Sequence, residues 1–103
     1  MAVVSAPIRP PPVAKRATSF EPDVARAFGQ VARALREEKG TAQDELALIA
    51  NVDRSYYGKL ERGERQPSLA LLLRVAAALG IAGGELVALV EAQMVRGRRR
   101  RSS

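Results

Sequence analysis

Residues 41–69, TAQDELALIANVDRSYYGKLERGERQPSL, decide the fold, because they read as two short helices joined by a tight turn. Thr41 is a suitable N-cap with Asp44 three residues on, so the first-turn amides gain an acceptor and the helix dipole gains an anion. A helix is expected from Ala42, with Leu46, Ile49 and Ala50 on one face and Gln43, Asp44 and Glu45 toward solvent. It should end near Ala50 or Asn51, since Asn tolerates the left-handed backbone of a sharp turn better than any residue but Gly. Asp53 then caps a second helix over residues 54–61, stopped by Gly63 and, beyond it, Pro67. Tyr57 and Leu60, three apart, face the core, while Arg54, Ser55, Tyr56 and Lys59 face out.

Working outward, Val24, Ala27, Phe28, Val31 and Leu35 recur at helical spacing opposite Arg26, Gln30, Arg33 and Glu37, which predicts a preceding helix that ends before Gly40. Downstream, Ser68 caps a helix whose apolar face is Leu69, Leu72, Leu73, Ala76 and Leu79, and Gly80 stops it. A last helix is predicted from about Gly84 to Val95. Its apolar residues, among them Leu86, Val87, Val90 and Met94, cover more circumference than one core contact absorbs. Such a helix packs twice, once on its own domain and once on a partner, so these four are the candidate dimerisation residues of a homodimer. The alternative is plain burial in a small domain that is short of apolar residues.

The 41–69 segment resembles the helix-turn-helix of the phage-repressor family, the Cro and XRE-like group, and most closely its restriction-modification controller subgroup. Gln43, Leu46 and Ala47 match the family's start, and Leu60, Glu61 and Gly63 its end, followed by Pro67, Ser68 and Leu69; the likeness covers roughly Val24 to Val90. It implies an all-α, five-helix domain that binds double-stranded DNA. It also implies that Arg54, Ser55, Tyr56 and Lys59 read bases, that Gln43 meets a backbone phosphate, and that Arg36 on the first helix pairs with Glu61 in a structural ion pair. Chemically the set fits: Arg can bond two acceptors on a guanine edge, Ser serves several bases, and Tyr offers a hydroxyl to phosphate or a face to a thymine methyl. Arg62, Arg65 and Gln66 follow the recognition helix and are expected over the adjacent phosphate strand. The sequence departs from the family at Ala42, where Ser or Thr is usual, at Asn51 in place of the turn Gly, and at Gly58. Within a helix, Gly58 costs about 0.5–1 kcal/mol against Ala unless something must approach closely.

Composition narrows the chemistry. The 103 residues contain no Cys and no His, which excludes a thiol nucleophile, a disulfide framework, a histidine base and ordinary zinc ligation; no metal and no cofactor is expected. The acid pairs Glu37–Glu38 and Asp44–Glu45 are neighbours in sequence and point different ways on a helix, so they cannot flank one bond, and an enzyme is not expected. No apolar run is long enough to span a bilayer, and prolines interrupt any signal-like start, so a soluble protein is expected; the absence of cysteine suits a reducing cytoplasm, and the resemblance implies a bacterial or phage origin.

The net charge of +6 is unevenly spread. Residues 1–19 are a Pro-rich, aperiodic arm carrying Arg9, Lys15 and Arg16, and residues 96–103 are a tail with Arg96, Arg98, Arg99, Arg100 and Arg101. In the helix-turn-helix domain, residues 20–95, eleven acids outnumber nine basic residues. It does hold a local basic stripe, Arg54, Lys59, Arg62 and Arg65, on and just after the recognition helix. The expected function is a sequence-specific transcriptional regulator that binds a palindromic operator as a dimer. The alternative is an antitoxin- or antiactivator-like protein-binding module on the same fold, whose arm or tail would hold an acidic protein partner.

Overall fold

A computed structural model describes residues 19–102, and side chains as far as Arg100; the arm lies outside the described residues except for Ser19. Among the described residues there are five helices and no strand: α1 Pro22–Lys39, α2 Gln43–Ala50, α3 Arg54–Glu61, α4 Leu69–Leu79 and α5 Gly83–Ser102. None of these is by itself long and apolar enough to cross a membrane.

The termini follow from local chemistry. Pro22 opens α1, where its missing N–H costs nothing, and Asp23 places an acid at the positive end of the dipole. Gly40, Asn51 and Gly80 close α1, α2 and α4 in the left-handed conformation, Asn51 at φ 58° being the one non-glycine with positive φ among the described residues. Ser68 caps α4 by accepting from the Leu71 amide.

The core is built from Phe28, Val31, Leu46, Tyr57, Leu60, Val75 and Leu86, drawn from all five helices. α1 packs on α5 and α3, and α2 bridges α3 and α4, so the two motif helices are held from both sides.

Several expectations are corrected. Thr41 does not cap α2; Ala42 occupies that position and supplies no side-chain acceptor. Thr41 instead belongs to the end of α1, its amide donating to the Arg36 carbonyl and its own carbonyl accepting from Arg36 Nη1 at 2.9 Å. Ile49 is 56% exposed, because the two-turn α2 buries Leu46, Ala47 and Ala50, a face rotated away from it. On α4, Leu69 and Leu73 also lie outside, while Val75, Ala76, Ala78 and Leu79 are buried. The last helix does not stop at Val95; it starts at Gly83 and continues through the arginines to Ser102.

Candidate nucleic-acid interface

The turn between α2 and α3 is set by backbone. Val52 N–H donates to the Ala47 carbonyl at 2.9 Å and Asn51 N–H to Leu48, reversing the chain, and Asp53 Oδ2 then accepts from the Tyr56 amide at 3.0 Å to start α3. Inside, α3 is fixed by Tyr57 and Leu60, both fully buried. Its far end runs against α1 at Gly29, where an added Cβ would stand 2.6 Å from the Leu60 carbonyl oxygen; only glycine permits this approach. The chain turns away at Gly63, φ 76°.

A polar cluster locks the same corner. Arg36 Nε donates to Glu61 Oε2 at 2.6 Å and Nη2 to Oε1 at 2.9 Å, while Gln43 Nε2 donates to Oε1 at 2.9 Å. The side chains of the ion pair are only 12% and 2% exposed, so the pair expected between α1 and α3 is present and largely sheltered from water. Burial by itself would push the Glu61 carboxyl up, but the hydrogen bonds it accepts and the Arg36 charge outweigh this and hold it below its ordinary value. The same bond raises Arg36 further. Tyr57 is pushed upward, first by burial and then by the adjacent carboxylate; its enclosed hydroxyl makes no hydrogen bond of regular geometry.

The outer face of α3 carries Arg54 and Ser55 exposed, with Tyr56 and Lys59 half-buried; the Tyr56 ring leans on the core and so is held in place. Arg54 Nη1 lies 3.2 Å from Asp44 Oδ2 of α2, with both side chains mostly in solvent. Arg62 reaches Glu64 through Nε at 2.7 Å and Nη2 at 3.4 Å, which holds the Glu64 carboxyl below its ordinary range, and Arg65 Nη1 donates to the Glu64 carbonyl. Gly58 is enclosed, its Cβ position 3.1 Å from Arg62 Nη1 and 3.5 Å from Gln43 Oε1, so a larger residue there would require the end of the Arg62 side chain to shift by a few tenths of an ångström.

Two site expectations change. Gln66 does not stand over open surface: its Nε2 donates to the Ser19 carbonyl at 2.7 Å and its Oε1 accepts from the Glu21 amide at 2.8 Å, so both ends of the amide clasp the chain as it enters α1. Leu86 and Val90 are buried in their own domain, because this face of α5 is the one that closes the core. Of the four, that leaves Val87, 40% exposed, and half-buried Met94 with apolar surface to offer, joined by exposed Val95 and half-buried Leu89 on α5 and by Leu69 and Leu73 on α4. The sequence reading missed the close approach at Gly29 and the pairing of Asp44 with Arg54 and of Glu64 with Arg62. The first had no local signal, and the acids looked like ordinary solvated charges.

Residues 33–86 match the helix-turn-helix family model, HTH_3. Control protein C.MunI from a Mycoplasma species is 37% identical over 70 residues, which are 67% of this chain and 95% of that protein. Among solved structures, the restriction-modification controller protein C.AhdI from Aeromonas hydrophila is 47% identical over 60% of this chain and 94% of its own, with a TM-score of 0.58. The clp gene regulator ClgR from Corynebacterium glutamicum superposes over 77% of this chain and 84% of its own, at 29% identity and a TM-score of 0.73. The chain belongs to the XRE-type helix-turn-helix family of transcriptional regulators.

Proposed function

We propose that this helix-turn-helix protein regulates transcription by binding a palindromic operator as a dimer, with α3 in the major groove and Arg54, Ser55, Tyr56 and Lys59 at base edges. The observation that carries the reading is the contrast between the two sides of α3. Its inner side is fixed by buried Tyr57 and Leu60 and by the Arg36–Glu61 pair, while its outer side presents donors and an aromatic tip of the kinds that discriminate bases. A rigid support matters, because base readout requires side chains held close to one geometry.

Phosphate contacts fall to the flanks. The start of α2 has no side-chain cap, so its first-turn amides are open to an anion, with Gln43 held beside them by Glu61. Arg62 and Arg65 follow α3 and are exposed. Gln66 is left out of the DNA-contacting set, since its amide is occupied. Dimerisation is assigned to Val87 and Met94 with the neighbouring exposed leucines of α4. A two-turn recognition helix spans only a few base pairs, and two half-sites are needed for useful affinity.

Mobility shift on genomic fragments, followed by selection from random duplex, tests the reading: a palindromic selected site is expected. Failure to shift any duplex, with a partner protein captured instead, would favour the protein-binding alternative.

A further inference from the structure

The reading above uses the basic residues around α3 and gives the acids no part. Yet the segment that would face DNA is electrically balanced: Arg54, Lys59, Arg62 and Arg65 stand against Asp44, Glu45, Asp53 and Glu64, with Glu61 matched separately by Arg36. Two of those acids are aimed at its arginines. Asp44 meets Arg54 at a single nitrogen, Nη1, 3.2 Å away. Glu64 meets Arg62 through both Nε and Nη2, and it also feels Lys59 and Arg65 nearby.

These two geometries act differently on a phosphate and on a base. Arg54, held through one oxygen contact, keeps other N–H groups of its guanidinium open, enough for the two acceptors of a guanine edge. A guanine edge is neutral and can sit beside Asp44. A phosphate brought to the same guanidinium would also be brought to the Asp44 carboxylate, and like charges repel. Arg62, bonded at two positions, has its charge matched by Glu64 at the surface and releases less counterion unless Glu64 lets go.

Resting on the DNA-binding reading, we infer that Asp44 and Glu64 are specificity-determining residues: each occupies an interface arginine so that random duplex is bound weakly, and affinity is gained mainly where base edges fit. Both acids are solvent-exposed, so the isosteric changes Asp44→Asn and Glu64→Gln remove charge without disturbing the core.

The test is the binding constant against salt concentration for unmodified protein, both single variants and the double variant. Each is measured on the tightest duplex selected from a random pool and on its scrambled counterpart. Affinity for scrambled duplex is expected to rise several-fold in each variant, with the salt slope steeper by up to about 0.9 per freed arginine. The ratio of selected to scrambled binding should fall. Unchanged scrambled affinity and slope in the double variant, with the unmodified protein still selective, would overturn this inference alone. Unmodified protein that binds neither duplex would overturn the DNA-binding reading itself.

Discussion

Gly29 of α1 and Leu60 of α3 meet so closely that the Cβ of any larger residue at position 29 would stand 2.6 Å from the Leu60 carbonyl oxygen. The obstruction is backbone, which cannot rotate away as a side chain can. Gly29→Ala is therefore expected to lose stability, even though alanine favours a helix by about 0.8–1 kcal/mol. Overpacking of this kind costs about 1–3 kcal/mol or more, and the helix gain should be outweighed. Chemical denaturation of the two proteins checks it; a variant as stable as the parent would show that α1 and α3 can separate freely.

A second expectation concerns acid. The Glu61 carboxyl is held below its ordinary value in the folded protein, so its contribution is present above the unfolded carboxyl range and lost as pH falls through the lower folded value. Stability should thus decline below about pH 5. Glu61→Gln should flatten that decline while lowering stability at neutral pH, since Arg36 is then left sheltered without its anion, at a cost of about 3–5 kcal/mol if burial is fully felt. Denaturation curves from pH 7 to pH 3 give both slopes, and parallel slopes would assign the acid sensitivity to other carboxylates.

The boundaries of α3 were legible because their signals are local: Asp53 caps within three residues, and Gly63 turns the chain just beyond. Asn51 and Ser68 were legible for the same reason. What could not be read is of two kinds, a competing local role and a partner far away in sequence. Thr41 looks like a cap until Arg36 claims its carbonyl, and Gln66 looks like a phosphate contact until Ser19 and Glu21 arrive to fill its amide. Periodicity likewise shows that α5 is apolar without showing that Leu86 and Val90 are spent on its own core. Arg54, Ser55, Tyr56 and Lys59 do share the outer side of α3, but the acid beside Arg54 comes from another helix and no spacing rule finds it.

For base reading, Arg54→Ala is expected to lose about 1–3 kcal/mol on the selected site and to relax preference at one base pair per half-site. The loss on scrambled duplex should be smaller, because Asp44 already shields this guanidinium from phosphates. Equal weakening on both duplexes would make Arg54 a phosphate contact. Arg62→Ala, at a flanking phosphate contact that Glu64 weakens, should lower affinity modestly and alike on both duplexes, and should matter more in a Glu64→Gln background.

Assembly is probed best where the surface is open. Val90→Asp would place a charge in the core, so unfolding would hide any effect on association. Val87→Asp, at a position 40% exposed, should leave a folded protein that sediments as monomer where the parent is a dimer. Operator affinity should fall with it, since two half-sites are no longer held together. A parent that is monomeric at tens of micromolar protein would refute the dimer.

The arginines after Val95 lie on a continuous helical backbone, an extension of α5. Arg98 and Arg100 line a cleft with Asp23, Gln30 and Gln93, and Gln93 is bonded to Gln30 at 2.8 Å, so this end of α5 is seated on the start of α1. These arginines can neutralise phosphates without seeing bases. Truncation after Val95 leaves the Gln93–Gln30 contact in place and should flatten the dependence of binding on salt by up to about 0.9 per lost phosphate contact. Discrimination between selected and scrambled duplex should survive, because α3 is untouched. An unchanged slope would take them off DNA and turn attention to an acidic protein partner. A loss of sequence preference would mean that these arginines enter a groove, contrary to the assignment of base reading to Arg54, Ser55, Tyr56 and Lys59.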